Sequence, residues 1–302
     1  MKNRIKNMYI KFKIIIKYIL QNIRVIIYKS KNRLPDVKSF DETIDKIIYD
    51  RKSLCRFGDG EFNIINNRNI GFQQNNQKLS ERLKDILENK NSNCLVGIPN
   101  VFTPMKNRTF RFRVFWTKYF VNNIIGNIDN RLNFNSIYYD SFISRPYIDY
   151  KDRNQAKYKF NKLKEIWNNK EIIIIEGENS RLGIGNDLFS NAKSIGRILC
   201  PSKDAFEYYD EILYRAKKID KSSVILIALG PTATVLAYDL SNYGYQAIDI
   251  GHTDIEYEWF LSNTKVKINI PHKFVNEVDG GDIIQTFKNE EYENQIIERI
   301  II

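Results

Sequence analysis

Two carboxylates separated by one glycine form the sequence pattern that most directly suggests a site for chemistry. Asp59 and Glu61 lie in the segment RFGDGE, directly after the buried, strand-like run 54–57. If the backbone stays extended, residues i and i+2 point to the same side, so the carboxylates converge. Gly58 and Gly60 leave space for a ligand to approach the backbone. Two such oxygen ligands predict a Mg²⁺ or Mn²⁺ site that could neutralise a departing diphosphate, although Gly-Asp-Gly alone also predicts a simple turn.

Three arginines and one strand-to-helix turn are candidates for binding the phosphates of a nucleotide. Arg56 precedes the carboxylate pair, Arg145 follows a predicted strand at 136–143, and Arg181 lies in a glycine-rich segment. The fork of donors on each guanidinium suits phosphate oxygens, but surface ion pairs are an equal alternative. Gly230 precedes a proline and Thr232 at a predicted helix start, where free backbone N–H groups favour anions.

A general base is expected in the segment DIGHTDIEYEW at 249–259. Asp254 and Glu256 are the candidates to take a proton from an acceptor hydroxyl. His252 is the alternative base or a phosphate contact, and a hydrogen-bonded structural histidine is the competing interpretation.

Several chemistries lack their signatures. The sequence has no G-x-G-x-x-G after a first strand and no G-x-x-x-x-G-K, which disfavours NAD-type and P-loop sites. Its two histidines and three scattered cysteines form no zinc spacing, and the cysteines suit a reducing cytosol. Local signatures of serine or cysteine hydrolases are also missing.

Continuous apolar strands alternating with helices predict the fold class. The run 171–176 contains four consecutive isoleucines, as expected for a parallel strand buried on both faces. The order of strands and helices after it predicts an α/β, Rossmann-like, mostly parallel doubly wound sheet. Strands are predicted at 54–57, 94–98, 136–143, 171–176, 195–200, 224–229 and 245–250. Helices are predicted at 39–49, 79–87, 107–125, 151–168, 203–218 and 231–242. Ligands of such sheets bind beyond the carboxyl ends of the strands, where the polar clusters described above occur.

The N-terminal segment predicts a separate basic amphipathic helix, so the chain divides into residues 1–34 and a single domain at 35–302. Residues 1–33 contain ten lysines or arginines and no acid, while the remaining 37 basic and 36 acidic residues nearly cancel. Its longest stretch without a basic residue is 18–23, too short to span a bilayer. Apolar residues at three- and four-residue steps favour an anionic membrane surface over a helix docked on its own domain or a partner, with a nucleic-acid arm least favoured.

Five motifs together resemble one bacterial family, the glycosyltransferases of fold type D, once described as a domain of unknown function and associated with adhesin and surface-glycan glycosylation. The motifs are RFGDGE at 56–61, SRPY at 144–147, EGENSRLGIGNDLF at 176–189, LGPTAT at 229–234 and DIGHTDIEYEW at 249–259. The resemblance covers about residues 36–280, which excludes the basic N-terminal helix.

The resemblance implies a metal-dependent hexosyltransferase that uses a UDP-sugar and an Asp-x-Glu metal motif. It places Mn²⁺ or Mg²⁺ on Asp59 and Glu61, with Arg56, Gly58, Arg145, Arg181, Gly230 and Thr232 around the donor. The expected partners are the UDP-sugar, a glycan or glycoprotein acceptor and an anionic membrane through residues 1–33, with no nucleic acid and with a homo-oligomer left open. We expect a cytoplasmic protein at the inner face of the cell membrane. A nucleotide-sugar-binding module without transfer and a metal-dependent phosphohydrolase are the alternatives.

Overall fold

Nine strands form one parallel sheet in the residues that this computed structural model describes, 2–88, 92–284 and 288–300. The strands are β1 (Asp36–Val37), β2 (Ser53–Arg56), β3 (Cys94–Ile98), β4 (Ile137–Asp140), β5 (Glu171–Gly177), β6 (Ser194–Cys200), β7 (Val224–Ala228), β8 (Gln246–Asp249) and β9 (Ile296–Arg299). Their spatial order is β1-β4-β3-β2-β8-β7-β5-β6-β9, and every pair is parallel. The prediction of an α/β, Rossmann-like parallel sheet is confirmed.

The order of the strands reverses between β2 and β8. Strands β3 and β4 lie on one side of β2. Strands β5 to β9 lie on the opposite side, where β8 is the neighbour of β2. Leu54 of β2 pairs with Ile248 of β8 at this junction. Such a switch point opens a crevice at the carboxyl ends of the strands.

Both faces of the sheet are covered by apolar side chains. Along β5, Ile172 and Ile174 face one cluster while Ile175 faces the other, as the alternation of a pleated strand requires. Trp167 and Trp259 are fully buried in the cluster that contains Ile172. Burial on both faces explains why these strands are continuously apolar.

Ten α-helices connect or flank the described strands. They are α1 (Lys2–Lys31), α2 (Phe40–Tyr49), α3 (Asp59–Ile65), α4 (Gln77–Glu88), α5 (Phe110–Tyr119), α6 (Ala156–Lys164), α7 (Tyr209–Ala216), α8 (Pro231–Asn242), α9 (Thr253–Leu261) and α10 (Glu290–Gln295). Ser39 begins α2 with a capping box: its hydroxyl accepts from Glu42 N, and the Glu42 carboxylate accepts from Ser39 N at 2.9 Å. Helix α8 has the predicted bounds because Gly230 and Pro231 define its start.

Three predicted helices are shorter than their sequence patterns suggested. The prediction at 151–168 was too long, because α6 covers only Ala156–Lys164 and turns flank it. The prediction at 107–125 was too long, because α5 ends at Tyr119 and a π-helix follows at Phe120–Ile128. Gly126 breaks the helical path there with φ 73°. The predicted helix at 203–218 begins instead as a 3₁₀ turn, Ala205–Tyr208, before α7.

The predicted N-terminal helix is confirmed as α1, and its C-terminal half packs on α5 and the π-helix. None of the helices in the described residues combines the length and apolarity needed to cross a bilayer. Residues 1 and 302, the outer bounds of the predicted domains, lie outside the described residues.

Candidate active site

A cavity of about 450 Å³ lies at the carboxyl ends of the central strands. It opens at the junction of β2 and β8, where an open parallel sheet is expected to bind its ligand. The charged residues along its described wall are Arg56, Asp59, Glu61, Arg145, Asp249, Asp254 and Glu277. Five carboxylates and two guanidinium groups therefore surround the space.

Asp59 and Glu61 line this cavity, but the backbone conformation that positions them differs from the predicted one. The prediction of extended backbone through Asp59 and Glu61 was wrong, because Asp59 is the first residue of α3. Gly58 caps that helix, and its N–H donates to Glu61 Oε2 at 2.6 Å. Both acids thus lie in the first helical turn, where the positive end of the helix dipole favours negative charge. The Tyr119 hydroxyl donates to the Asp59 carbonyl oxygen at 3.1 Å and ties this turn to α5.

Burial makes both carboxyl groups harder to ionise. It raises the pKa of Asp59, and the nearby Arg145 only partly offsets the effect. Burial together with the charge of Asp249 raises the pKa of Glu61 to about 7. A cation at this position would relieve the repulsion and hold both groups as carboxylates.

Arg56 donates hydrogen bonds to protein groups through its Nε and both Nη atoms. Its Nη2 and Nε donate to Asp249 Oδ1 at 2.6 Å and to the Asp249 carbonyl at 2.7 Å. Its Nη1 donates to Ser144 Oγ at 2.7 Å. Arg56 therefore joins the ends of β2 and β8 to the turn before Arg145. The sequence predicted that Arg56 binds a phosphate. In the structure its guanidinium holds these segments together.

Arg145 also lines the cavity, where it forms an ion pair with Glu277. Its Nη2 donates to Glu277 Oε1, and Lys267 Nζ bonds the other oxygen of Glu277. Burial alone would raise the pKa of Glu277, but Arg145 and the neighbouring cations hold that pKa well below its usual range. This fixed ion pair lines the same side of the cavity as His252, whose Nε2 lies 3.7 Å from Glu277 Oε1.

His252 presents a polar atom that the described residues do not satisfy. Its Nε2 is buried and has no hydrogen-bond partner among them. Burial and the charge of Arg145 lower the pKa of His252 to about 3, so the imidazole is neutral at neutral pH. A neutral ring can share a hydrogen bond with a ligand hydroxyl or phosphate.

Asp254 and Glu256, the two predicted general bases, both accept hydrogen bonds from loop backbone. Asp254 is buried and accepts from Gly183 N at 2.9 Å, while its other oxygen bonds Lys273 Nζ at 2.7 Å. Glu256 Oε2 accepts from Tyr147 N and Ile148 N, each at 2.9 Å. Burial raises the pKa of Glu256 to about 7, and this side chain lies outside the described cavity wall. Both acids thus bind the backbone of neighbouring loops and Asp254 also lines the cavity, so their role as bases stays a prediction.

The other predicted donor contacts divide between the wall and the layer behind it. Gly58 and Gly230 line the cavity, and the φ of 54° at Gly230 suits glycine. A Cβ at Gly230 would collide with the ring of Phe72, which also lines the cavity. Thr232 and Arg181 are outside the described wall; Thr232 is buried, and Arg181 Nη1 donates to the His272 carbonyl at 2.6 Å.

A buried ion pair supports the loop that contains Arg181. Glu176, the penultimate residue of β5, bonds Arg197 of β6 at 2.5 Å, and both side chains are almost fully buried. The same two residues hold Leu182 through its N–H and its carbonyl oxygen. The motif at 176–189 therefore includes residues that set the loop path behind the cavity.

Asp59 and Glu61 both line the cavity and could supply part of the donor set of a divalent cation. Among the described residues, no group of three or more His, Cys, Asp or Glu side chains is arranged to hold a metal. Mg²⁺ and Mn²⁺ sites of nucleotide enzymes commonly use one or two carboxylates and complete their shell with phosphate oxygens and water. Asp59 and Glu61, with the pKa of each raised by burial, match that incomplete donor set.

Some residues of the wall carried no signal that a single sequence could reveal. Glu277 and Phe72 lie in segments without a recognisable motif, and they reach the cavity only through the fold. Asp249 lies near the end of the strand predicted at 245–250 and is the last residue of β8, so its place at the carboxyl edge was the available signal. Trp116 of α5 also lines the cavity, although the sequence predicted only a helix around it.

Comparison with known proteins gives one consistent result. A family model described as glycosyltransferase GT-D fold matches residues 54–278. Glycosyltransferase GlyD of Streptococcus pneumoniae is 40% identical over 272 residues, which is 88% of this chain and 32% of that protein. A probable glycosyl transferase, Gly, of Streptococcus gordonii is 36% identical, covering 89% of this chain and 39% of that protein. The chain thus spans about a third of the length of GlyD and less than two fifths of the length of Gly.

Solved structures extend the similarity to the fold. A structure described as the domain of unknown function 1792, with a distinct glycosyltransferase fold, matches with a TM-score of 0.81 and 40% identity. The match covers 88% of this chain and 95% of that one. A structure described as a new glycosyltransferase from Streptococcus sanguinis matches with a TM-score of 0.82 and 35% identity, covering 89% and 100%.

Proposed function

The chain belongs to the family of glycosyltransferases with the GT-D fold, and we propose that it moves a hexose from a UDP-sugar to a glycan or glycoprotein acceptor. The donor would lie in the cavity at the β2–β8 junction, with its diphosphate near α3 and its uracil near Phe72. The Phe72 ring beside Gly230 offers the flat apolar surface that a base can stack on.

The observation that carries this proposal is the charge of the cavity wall. Three of its five carboxylates are paired with cations: Asp249 with Arg56, Glu277 with Arg145, and Asp254 with Lys273. Asp59 and Glu61 form no ion pair among the described residues, so a diphosphate placed beside them requires added positive charge. Asp59 and Glu61 would hold Mn²⁺ or Mg²⁺, which when bound offsets the charge that develops on the leaving nucleotide.

The remaining residues of the site would orient the reactants. Arg145, fixed by Glu277, supplies a positioned guanidinium for a donor oxygen. His252 offers its unpartnered Nε2 to a hydroxyl or phosphate of the substrates. Asp254 and Glu256 act as positioning residues, since they anchor the loops that begin at Gly183 and Tyr147.

Asp59→Asn and Glu61→Gln test the proposal with little change of shape. The purified protein is incubated with Mn²⁺, a panel of UDP-sugars and candidate glycans, and the products are identified by mass spectrometry. We expect either substitution to lower transfer by about a hundredfold or more, because charge stabilisation of the leaving group is lost. Gln at position 61 can still accept from Gly58 N and so preserves the helix cap.

Asp210→Asn is the matched control, because Asp210 is an exposed acid outside the cavity wall. It should transfer sugar at the wild-type rate, and circular dichroism should show that all variants are folded. Transfer by Asp59→Asn and Glu61→Gln at the wild-type rate would remove the metal pair from the proposal. UDP release without acceptor would favour a phosphohydrolase, and donor binding without release would favour a binding module.

A further inference from the structure

Helix α1 attaches to the domain along one of its faces. The attached side chains recur at three- and four-residue steps and are Tyr18, Gln21, Asn22, Val25, Tyr28 and Lys29. The Tyr28 hydroxyl donates to Asp129 at 2.8 Å, and Lys29 Nζ donates to the Val101 carbonyl at 2.8 Å. The Tyr18 ring packs edge-on against Phe110 of α5. These contacts fix the rotation of α1 about its axis.

A second face of the same helix is apolar and exposed. At 100° per residue, ten side chains fall on one continuous stripe beside the attached face. The apolar stripe consists of Met8, Tyr9, Phe12, Ile15, Ile16, Ile19, Leu20, Ile23, Ile26 and Ile27, each between 42% and 68% exposed. It is about 30 Å long, and exposed apolar surface of that extent marks an interaction site.

The third face of α1 is basic. Lys6, Lys13, Lys17, Arg24 and Lys31 lie together on the helical wheel, between the apolar stripe and the attached face. Residues 1–33 contain no acid that could neutralise them. A partner of this surface must therefore accept apolar side chains and also carry negative charge.

We propose that α1 lies in the surface of an anionic lipid bilayer and holds the transferase domain there. The apolar stripe enters the boundary of the acyl chains, while the basic face meets the lipid headgroups. A second copy of α1 fits less well, because pairing the stripes would bring two basic faces together. Helix α1 precedes the region that the family model matches, 54–278.

Vesicle flotation with the full-length chain tests this proposal without any need for sugar transfer. The vesicles contain equal parts of phosphatidylglycerol and phosphatidylcholine, and phosphatidylcholine alone serves as the uncharged comparison. We expect flotation with the anionic vesicles at low salt and its loss at high salt. Lys13→Gln, Lys17→Gln and Arg24→Gln together should weaken partitioning by about a hundredfold. Ile16→Gln, Ile19→Gln and Ile23→Gln together should weaken it by more than about tenfold.

Two control variants match these changes away from α1. Exposed lysines are replaced in Lys157→Gln, Lys217→Gln and Lys218→Gln, and exposed aromatic residues in Tyr49→Gln, Tyr214→Gln and Tyr243→Gln. Both controls should float like the wild type, and circular dichroism should show every variant folded. Absence of flotation at low salt, or flotation unchanged by the α1 substitutions, would overturn the proposal. A dimer that the stripe substitutions dissociate, without flotation, would assign the stripe to a second copy.

Discussion

Arg56 shows how a residue in a substrate-binding motif can serve the site indirectly. Its guanidinium donates to Asp249, Ser141 and Ser144, so it holds three parts of the wall together. Asp254 and Glu256 behave in the same way toward the loops that they anchor. Among the described side chains of the wall, the proposed function places those of α3, Arg145, His252 and Phe72 against the ligand.

Glu256 gives a pH-dependent prediction. Its pKa is about 7 in the folded protein against an ordinary value of 4.5, so the folded state binds the proton more tightly. As pH rises through this window, the unfolded state loses the proton first, and the contribution of Glu256 to the free energy of unfolding declines. Glu256→Gln mimics the neutral carboxyl group and should remove a decline of at most about 3 kcal/mol.

Urea unfolding at several pH values across that window measures the effect. Glu207→Gln, which changes an exposed glutamate, provides the comparison. If the wild type and Glu256→Gln keep a constant difference in the free energy of unfolding from pH 4.5 to 7, Glu256 ionises normally in the fold and the prediction fails.

At the scale of elements, β5 and β6 are joined by the buried pair of Glu176 and Arg197 as well as by their backbone ladder. Arg197→Met removes the cation and leaves Glu176 buried without its charge partner. We expect a loss of about 3–5 kcal/mol in the free energy of unfolding, measured by urea titration. Adding Glu176→Met should restore most of that loss, because the uncompensated carboxylate is then gone. A double variant less stable than Arg197→Met would contradict this account.

The elements also show what the sequence could predict and what it could not. Strands such as β5 and the helix α8 follow from apolar runs and local capping residues, so their patterns were sufficient. At the start of α3 the Glu61 carboxylate accepts a hydrogen bond from Gly58 N. A glycine at the cap position does not by itself predict this contact. Strand β9 was not predicted, because its pairing with β6 joins residues about a hundred positions apart. The ion pairs of the cavity wall, such as Arg145 with Glu277, arise in the same long-range way.

At the scale of the whole molecule, charge and apolar surface are distributed unequally. The domain is close to neutral, and its sheet is covered on both faces, whereas α1 concentrates basic charge and exposed apolar side chains. The three tryptophans are also divided between environments: Trp167 and Trp259 are buried in one core cluster, and Trp116 belongs to the other and lines the cavity.

Trp116 should therefore report the arrival of a nucleotide. Adding UDP with Mn²⁺ is expected to change the tryptophan emission, because a ligand in the cavity alters the surroundings of this indole. Trp116→Phe should abolish most of the change, whereas Trp167→Phe should keep it. An emission change that persists in Trp116→Phe would place the nucleotide away from this part of the wall.

Trp116 has a second neighbour, since it also lines a cavity of about 290 Å³ between α1 and the domain. The Trp116 ring therefore lies between the cavity proposed for the sugar donor and the cavity beside α1. If occupation of one cavity changed the free energy of the other through this ring, thermodynamic reciprocity would make the two effects equal. A saturating donor would then alter the affinity of the chain for lipid by the same factor by which lipid alters its affinity for the donor.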